Sequence, residues 1–153
     1  MRNLDAAILV AGDVSSRSFL VATGLPGEVS PKELITAGAV GNILGRFLDI
    51  DGNEISHPLN GRTIGVQLDK LHSIPMKILA AAGRHKVDIM WAAMRHGLVD
   101  VLIIDDVTAS FSTGRRCRRV ERRLCLMALG RTAGPSTRRG SGPRFGLSHC
   151  IVR

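Results

Sequence analysis

The sequence predicts an α/β protein built on a mostly parallel sheet with flanking helices. Three observations carry this. Residues 76–106 run as an apolar strand "MKILAAAG", a helical stretch "RHKVDIMWAAMRHG" and a second apolar strand "LVDVLIIDD". Val87, Met90, Trp91 and Met94 fall at the i, i+3, i+4, i+7 spacing of an amphipathic helix, and Gly97 closes it. Strand, glycine, helix, glycine, strand is a βαβ unit, expected to be parallel and right-handed. The second observation is "AAILVAG" (6–12), a continuous apolar run ending in glycine, which reads as a buried parallel strand. The third is composition: 44% hydrophobic, 3% aromatic and no Tyr, a small-residue chain too apolar to be disordered throughout.

The elements follow in order. "DVSSRS" (13–18) is a polar loop, and "SFLVAT" opens a short helix. "LPGEVS" (25–30) is turn chemistry. "SPKELITAG" (30–38) carries helix grammar: Ser30 as N-cap, Pro31 in the first position, Glu33 three residues after the cap, and Gly38 as the stop. "NILGRFLDI" (42–50) is a strand, and "DIDGNEIS" (49–56) holds an Asp-Gly turn signal. "RTIGVQL" (62–68) reads as another strand, and "LDKLHSIP" (68–75) as a short helix or turn closed by Pro75. After Ala109 this periodicity stops. Only "RRLCLMALG" (122–130) has the makings of a short helix, and the rest of the tail is expected to be disordered.

Charge and cysteine divide the chain at the same place. Residues 1–108 hold ten Lys+Arg and twelve Asp+Glu; residues 109–153 hold eleven Arg, no Lys and one acid, Glu121. The overall +8 is therefore a mildly acidic body joined to a strongly basic tail. Cys117, Cys125 and Cys150 all lie in the tail, without CxxC or His/Cys ligand spacing, so no disulfide framework, metal site or cofactor is expected. The start, "MRNLDAAILVAGDV", is not a signal peptide, and no run approaches the ~18 apolar residues of a membrane span. A cytoplasmic protein is the expectation.

Three places could carry chemistry. In parallel α/β sheets, ligands bind outside the carboxyl ends of the strands. At "AAAGRHK", Gly83 lets backbone approach a ligand, and the helix start near Arg84 offers free N–H groups to an anion. Lys86 opposes the helix dipole there, which a bound phosphate would offset; a solvated lysine is the plain alternative. In "AGAVGNILGRF" (37–47), Asn42 and Arg46 stand four apart, so one strand would put both on one face to hold hydroxyls or a phosphate. The alternative is a close-packed glycine-rich turn with Arg46 on the surface. In "VAGDVSSRS" (10–18), Gly12 is followed by Ser15 and Ser16, which could bond a ligand or cap a helix. Asp105 and Asp106 would point apart on a strand, and Asp106 is read as a helix N-cap. The five His are scattered, and Trp91 reads as core.

Taken together, "AGAVGNILGRFLDIDGN", "RTIGVQLDKLHSIP" and "AAAGRHKVDIMWAAMRHGLVDVLIIDDVTA" resemble the effector-binding domain of SorC-type sugar-binding transcriptional regulators, over residues 5–109. The resemblance implies a Rossmann-like fold related to sugar-phosphate isomerases, binding a sugar or phosphosugar without catalysis. It implies a homo-oligomer, and contact with DNA through a helix-turn-helix domain that does not precede residue 5 here. It places Lys86 at a position that contacts effector phosphate. It places Asn42 where the family usually has an acidic residue accepting sugar hydroxyls. Gly12 and Ser15 match a strand–Gly–polar loop. Against the family pattern the domain, read as 1–109, starts inside the sheet, a truncated form. The tail, 110–153, is expected to be an unrelated, out-of-frame product of a GC-rich gene. Two other readings compete: an isomerase-like enzyme with Asp105 or Asp106 as base, and nucleic-acid binding through the basic tail. The tail lacks the aromatic residues and reader motifs of the latter.

Overall fold

The computed structural model describes residues 4–15, 18–112, 125–129 and 147–150. A mixed five-stranded sheet forms its centre. Its strands are β1 (Ala6–Gly12), β2 (Gly41–Ile43), β3 (Arg46–Leu48), β4 (Met76–Ala80) and β5 (Val101–Asp105), in the order β3-β2-β1-β4-β5. β1, β4 and β5 are parallel, with Ile8 beside Ile78 and Ile78 beside Val101. β2 and β3 continue the sheet antiparallel from β1. Two strands from the tail extend the other edge. β6 (Cys125–Leu129) lies parallel to β5, and β7 (Leu147–Cys150) antiparallel to β6. The stretches 113–124 and 130–146 fall outside the described residues, and so does the expectation of disorder there.

The helices are α1 (Phe19–Thr23), α2 (Pro31–Thr36), α3 (Pro58–Arg62), α4 (Leu68–Leu71), α5 (Val87–Arg95) and α6 (Asp106–Ser112); a 3-10 turn, Arg84–Lys86, leads into α5. α2 starts as its sequence dictates: Ser30 Oγ accepts the Glu33 N–H at 3.2 Å, satisfying one of the unpaired donors of the first turn. α5 lays Val87, Ile89, Met90 and Ala93 onto the sheet, against Leu9, Leu79, Leu102 and Ile104. This is the main core. A smaller core joins α2 and α3 to the hairpin through Leu34, Phe47, Ile55 and Leu59.

Right-handed crossovers between parallel strands in one direction across a sheet all fall on one face. That face is the one under α5. The reverse face of β1 is open: Ile8 is 72% and Val10 61% exposed, with Met76 of the neighbouring strand 47% exposed. The expectation that β1 is buried on both faces is therefore corrected. Its residues alternate, with Leu9 and Ala11 in the core and Ile8 and Val10 outside it.

Five further expectations change. Residues 42–50 are not one strand but a hairpin, with Leu44 (φ 52°) and Gly45 (φ 82°) turning the chain. Two consecutive positive φ values form the tight turn whose twist suits a two-residue hairpin. The stretch 62–68 is not a strand; it leaves α3, crosses an open segment with Ile64 exposed, and enters α4. The apolar stretch in 122–130 pairs as β6 instead of coiling, because the free edge of β5 offers a row of unpaired backbone groups. The cap of α6 is Asp105, not Asp106. Asp105 Oδ1 accepts the Thr108 N–H at 2.6 Å, while Asp106 only turns back on the adjacent Val107 N–H. α6 also carries regular structure to Ser112, past the break expected at Ala109.

Candidate functional site

The sheet register brings the carboxyl ends of three parallel strands together. Val10 lies beside Ala80, and Ala80 beside Ile103, so Gly12, Gly83 and Asp105 all emerge at one edge. Asn42 joins them, because it pairs directly with Gly12.

Gly12 is required by its neighbour. A Cβ here would lie 2.9 Å from Asn42 Oδ1 and closer still to Nδ2, inside any normal contact. Asn42 is 5% exposed, and its Nδ2 is buried without a hydrogen-bond partner. Beyond Gly12 the chain bends on Asp13, itself buried, whose Oδ2 accepts the Ser15 N–H at 3.1 Å. Ser15 thus sits in the loop over the strand end. Ser16 lies outside the described residues.

Gly83 adopts φ 105°, in the left-handed region that side chains avoid, and a Cβ on it would meet the His85 ring. Its N–H is not free for an anion. It donates to Thr108 Oγ1 at 2.7 Å, and the same hydroxyl donates to Asp105 Oδ2 at 3.0 Å. Thr108 is fully buried. The backbone N–H of Thr108, then its hydroxyl and the Gly83 and Val107 backbone, hold the Asp105 carboxyl below the usual carboxylate range, against the opposing effect of burial. Arg84 stacks over the Phe111 ring, 4.7 Å from its centroid, which ties the 3-10 turn to α6 a second time. Lys86 is half-buried at the head of α5, and its ammonium makes no hydrogen bond or ion pair among the described residues.

Arg46 does not belong to this edge. It pairs with Ile43 across the hairpin, whereas Asn42 pairs with Phe47, so Arg46 and Asn42 face opposite sides. The one-face reading failed because the two residues lie on two strands. The Arg46 guanidinium is buried and spoken for: Nε donates to Val66 O at 3.0 Å, and one terminal nitrogen reaches Glu54 Oε2 and Asn60 O, each at 3.2 Å. It fastens the hairpin to the segment that follows.

Sequence reasoning missed Thr108, the centre of the Gly83–Asp105 network, and Asn60. Asn60 Oδ1 accepts the Phe47 N–H at 2.8 Å, and Nδ2 donates to the Phe47 and Ile55 carbonyls. It also missed the buried pair of Lys77 and Asp100 (2.7 Å) at the opposite end of the sheet. Their partners are remote in sequence, so no local signal marks them. Among the described residues no group of three or more His, Cys, Asp or Glu is placed to hold a metal ion, and no helix is long and apolar enough to cross a membrane.

Comparison with known proteins places this architecture. Residues 1–111 match the family model described as "Putative sugar-binding domain". A deoxyribonucleoside regulator from Bacillus subtilis is 37% identical over 108 residues, which are 71% of this chain and 34% of the relative. A transcriptional regulator from Streptococcus pneumoniae has a solved structure with 32% identity and a TM-score of 0.65, over 74% of this chain and 43% of that one. The full-length sorbitol operon regulator SorC from Klebsiella pneumoniae shares the fold at 22% identity, with a TM-score of 0.60 over 70% of this chain and 35% of that one. The chain spans about a third of the length of the curated relatives it matches. With most of its residues under that model, the chain belongs to the family of putative sugar-binding domains, and its sheet recurs in solved structures of transcriptional regulators.

Proposed function

We propose that this domain binds a phosphorylated sugar as an effector at the edge formed by Gly12, Ser15, Asn42, Gly83 and Lys86, and that it binds without catalysing. The observation that carries this is Lys86: a half-buried cation without a partner among the described residues, at the head of the nine-residue helix α5, beside a glycine turn at the strand ends. A phosphate there would meet the ammonium and the positive end of the helix. In a whole regulator, effector binding at this edge would act on subunit packing and on a DNA-binding domain elsewhere in the polypeptide.

Calorimetric titration of the chain with ribose 5-phosphate and glucose 6-phosphate tests the reading. Lys86→Ala is expected to weaken the phosphorylated sugar about ten- to a hundredfold, the worth of a charge-assisted hydrogen bond. Unphosphorylated ribose and glucose should be little affected. Equal affinity of wild type and variant for the phosphates would overturn the assignment of Lys86. The isomerase-like alternative with Asp105 as base is disfavoured by the commitment of Asp105 to Thr108, since a base must be free to take a proton. Turnover of ribose 5-phosphate or glucosamine 6-phosphate would revive it.

We also propose that the family domain ends close to residue 111 and that the Arg-rich remainder has a separate origin, in translation out of frame. The family match stops there, and all three Cys and eleven of the seventeen Arg follow it. If neither other reading frame of the coding DNA continues as an apolar helix, the idea is wrong.

A further inference from the structure

Two asparagines are buried in this domain, at 5% exposure each, and they are treated differently. Asn60 has its carbonyl oxygen bonded to Phe47 N and its amide bonded to two backbone carbonyls. It is a structural residue, and the fold supplies its partners. Asn42 Nδ2 has none. A buried donor without a partner is uncommon in native proteins and calls for an explanation. Its setting removes the usual ones. The side chain lies over Gly12, the one residue type that leaves it room, so packing holds the amide in place. The carboxylates nearest this edge are occupied: Asp13 by the Ser15 N–H, and Asp105 by the Thr108 N–H and hydroxyl. The edge thus combines a donor at Asn42 with a cation at Lys86, while its two carboxylates, Asp13 and Asp105, are engaged within the chain. β2, β1 and β4 are neighbours, so Asn42 stands two strand spacings from the β4 turn that leads to Lys86, about 10 Å. That separation suits the two ends of one extended sugar phosphate.

We propose that Asn42 selects among effectors by donating its amide N–H to an oxygen that carries no proton, the carboxylate or carbonyl at the end of the sugar remote from the phosphate. The inference rests on the reading of this edge as a phosphosugar site, and it adds the chemical class: phosphorylated sugar acids or open-chain carbonyl forms, in preference to polyols. A matched pair of probes separates the classes. 6-Phosphogluconate ends in a carboxylate where glucitol 6-phosphate ends in a hydroxyl. In titration calorimetry the wild-type chain is expected to bind 6-phosphogluconate at least tenfold more tightly. Asn42→Asp replaces the donor by an acceptor of the same shape, and should reduce 6-phosphogluconate affinity at least tenfold while changing glucitol 6-phosphate less than threefold. Asn42→Ala, which only deletes the amide, should bring the two probes to within about threefold of each other; circular dichroism verifies that both variants are folded. Equal losses for both probes in Asn42→Asp would mean that Asn42 is merely structural and would sink the proposal, as would wild-type preference for the polyol. If wild type binds neither probe nor the sugar phosphates above, the phosphosugar reading itself fails and takes this inference with it. If it binds sugar phosphates without discriminating at Asn42, only the inference fails.

Discussion

Thr108→Val tests whether the network behind the candidate site holds the fold together. Valine has the shape of threonine, so the variant leaves no cavity and removes only the hydroxyl. That hydroxyl accepts from Gly83 N at 2.7 Å and donates to Asp105 Oδ2 at 3.0 Å, in a residue with no exposed surface. A neutral hydrogen bond contributes about 1 kcal/mol, and one to a charged group about 1.5–3 kcal/mol. Asp105 is half-exposed, so water can replace part of the second bond, and the sum comes to about 2–3 kcal/mol. Urea denaturation at pH 7 should show that loss as a lower midpoint with an unchanged slope. The pH dependence adds a second check. The Asp105 pKa is depressed in the folded state. Its contribution to stability is therefore complete above the unfolded carboxylate pKa, near 4, and is lost as pH falls through the still lower folded value. The stability curves of wild type and variant should separate fully at pH 7 and draw together in acid. A variant within about 0.5 kcal/mol of wild type at pH 7, or a gap that widens in acid, would refute this account of Thr108.

Three other changes follow from the same structure. Gly12→Ala drives a methyl into the Asn42 amide, and should cost about 1–3 kcal/mol in a denaturation experiment and weaken effector binding with it. Asn60→Ala strands the Phe47 N–H in the interior, while the Phe47 and Ile55 carbonyls keep the Ile55 and His57 N–H groups; a loss of about 2–3 kcal/mol is expected, read as a lowered thermal transition. Ile8→Lys with Val10→Glu places two charges on the open sheet face; sedimentation should show wild type associating and the double variant dispersed, with stability changed by less than about 1 kcal/mol.

The open face has a topological cause. The parallel connections from β1 to β4 and from β4 to β5 step the same way across the sheet, and right-handedness then stacks their helices on one side. A sheet with parallel strands is normally covered on both faces. The uncovered side of β1 presents Ile8 and Val10, with no charged residue among Ala6, Ile8 and Val10, and it continues into Met76 on β4. Apolar sequence without alternation had suggested burial on both sides. The composition of the strand is right for that, yet the layer that would bury its second face does not come from any described segment.

What was legible beforehand is what local chemistry decides. Ser30, Pro31 and Glu33 mark the start of α2, and the structure realises the Ser30–Glu33 cap. The spacing of Val87, Met90 and Met94 marks the face of α5 that is buried. The glycine at 83 marks a turn, and φ 105° is found there. The errors arise where a partner distant in sequence decides. The hairpin between β2 and β3 turns on Leu44–Gly45, which lacks the Asn-Gly or Asp-Gly signature and forces a leucine to φ 52°. "RTIGVQL" has the residues of a strand but finds no neighbour to pair with, and Ile64 stands fully exposed. Arg46 looked like a ligand-binding guanidinium because its three acceptors, on Glu54, Asn60 and Val66, are invisible until the chain folds back on itself. The same ambiguity covers Asn42 and Asn60. Nothing in either local sequence separates an amide that the fold consumes from one that it leaves unpaired, and the distinction emerges only when each nitrogen is followed to its partner. Asn60 then reads as architecture, and Asn42 as the asparagine for which the described residues provide no acceptor.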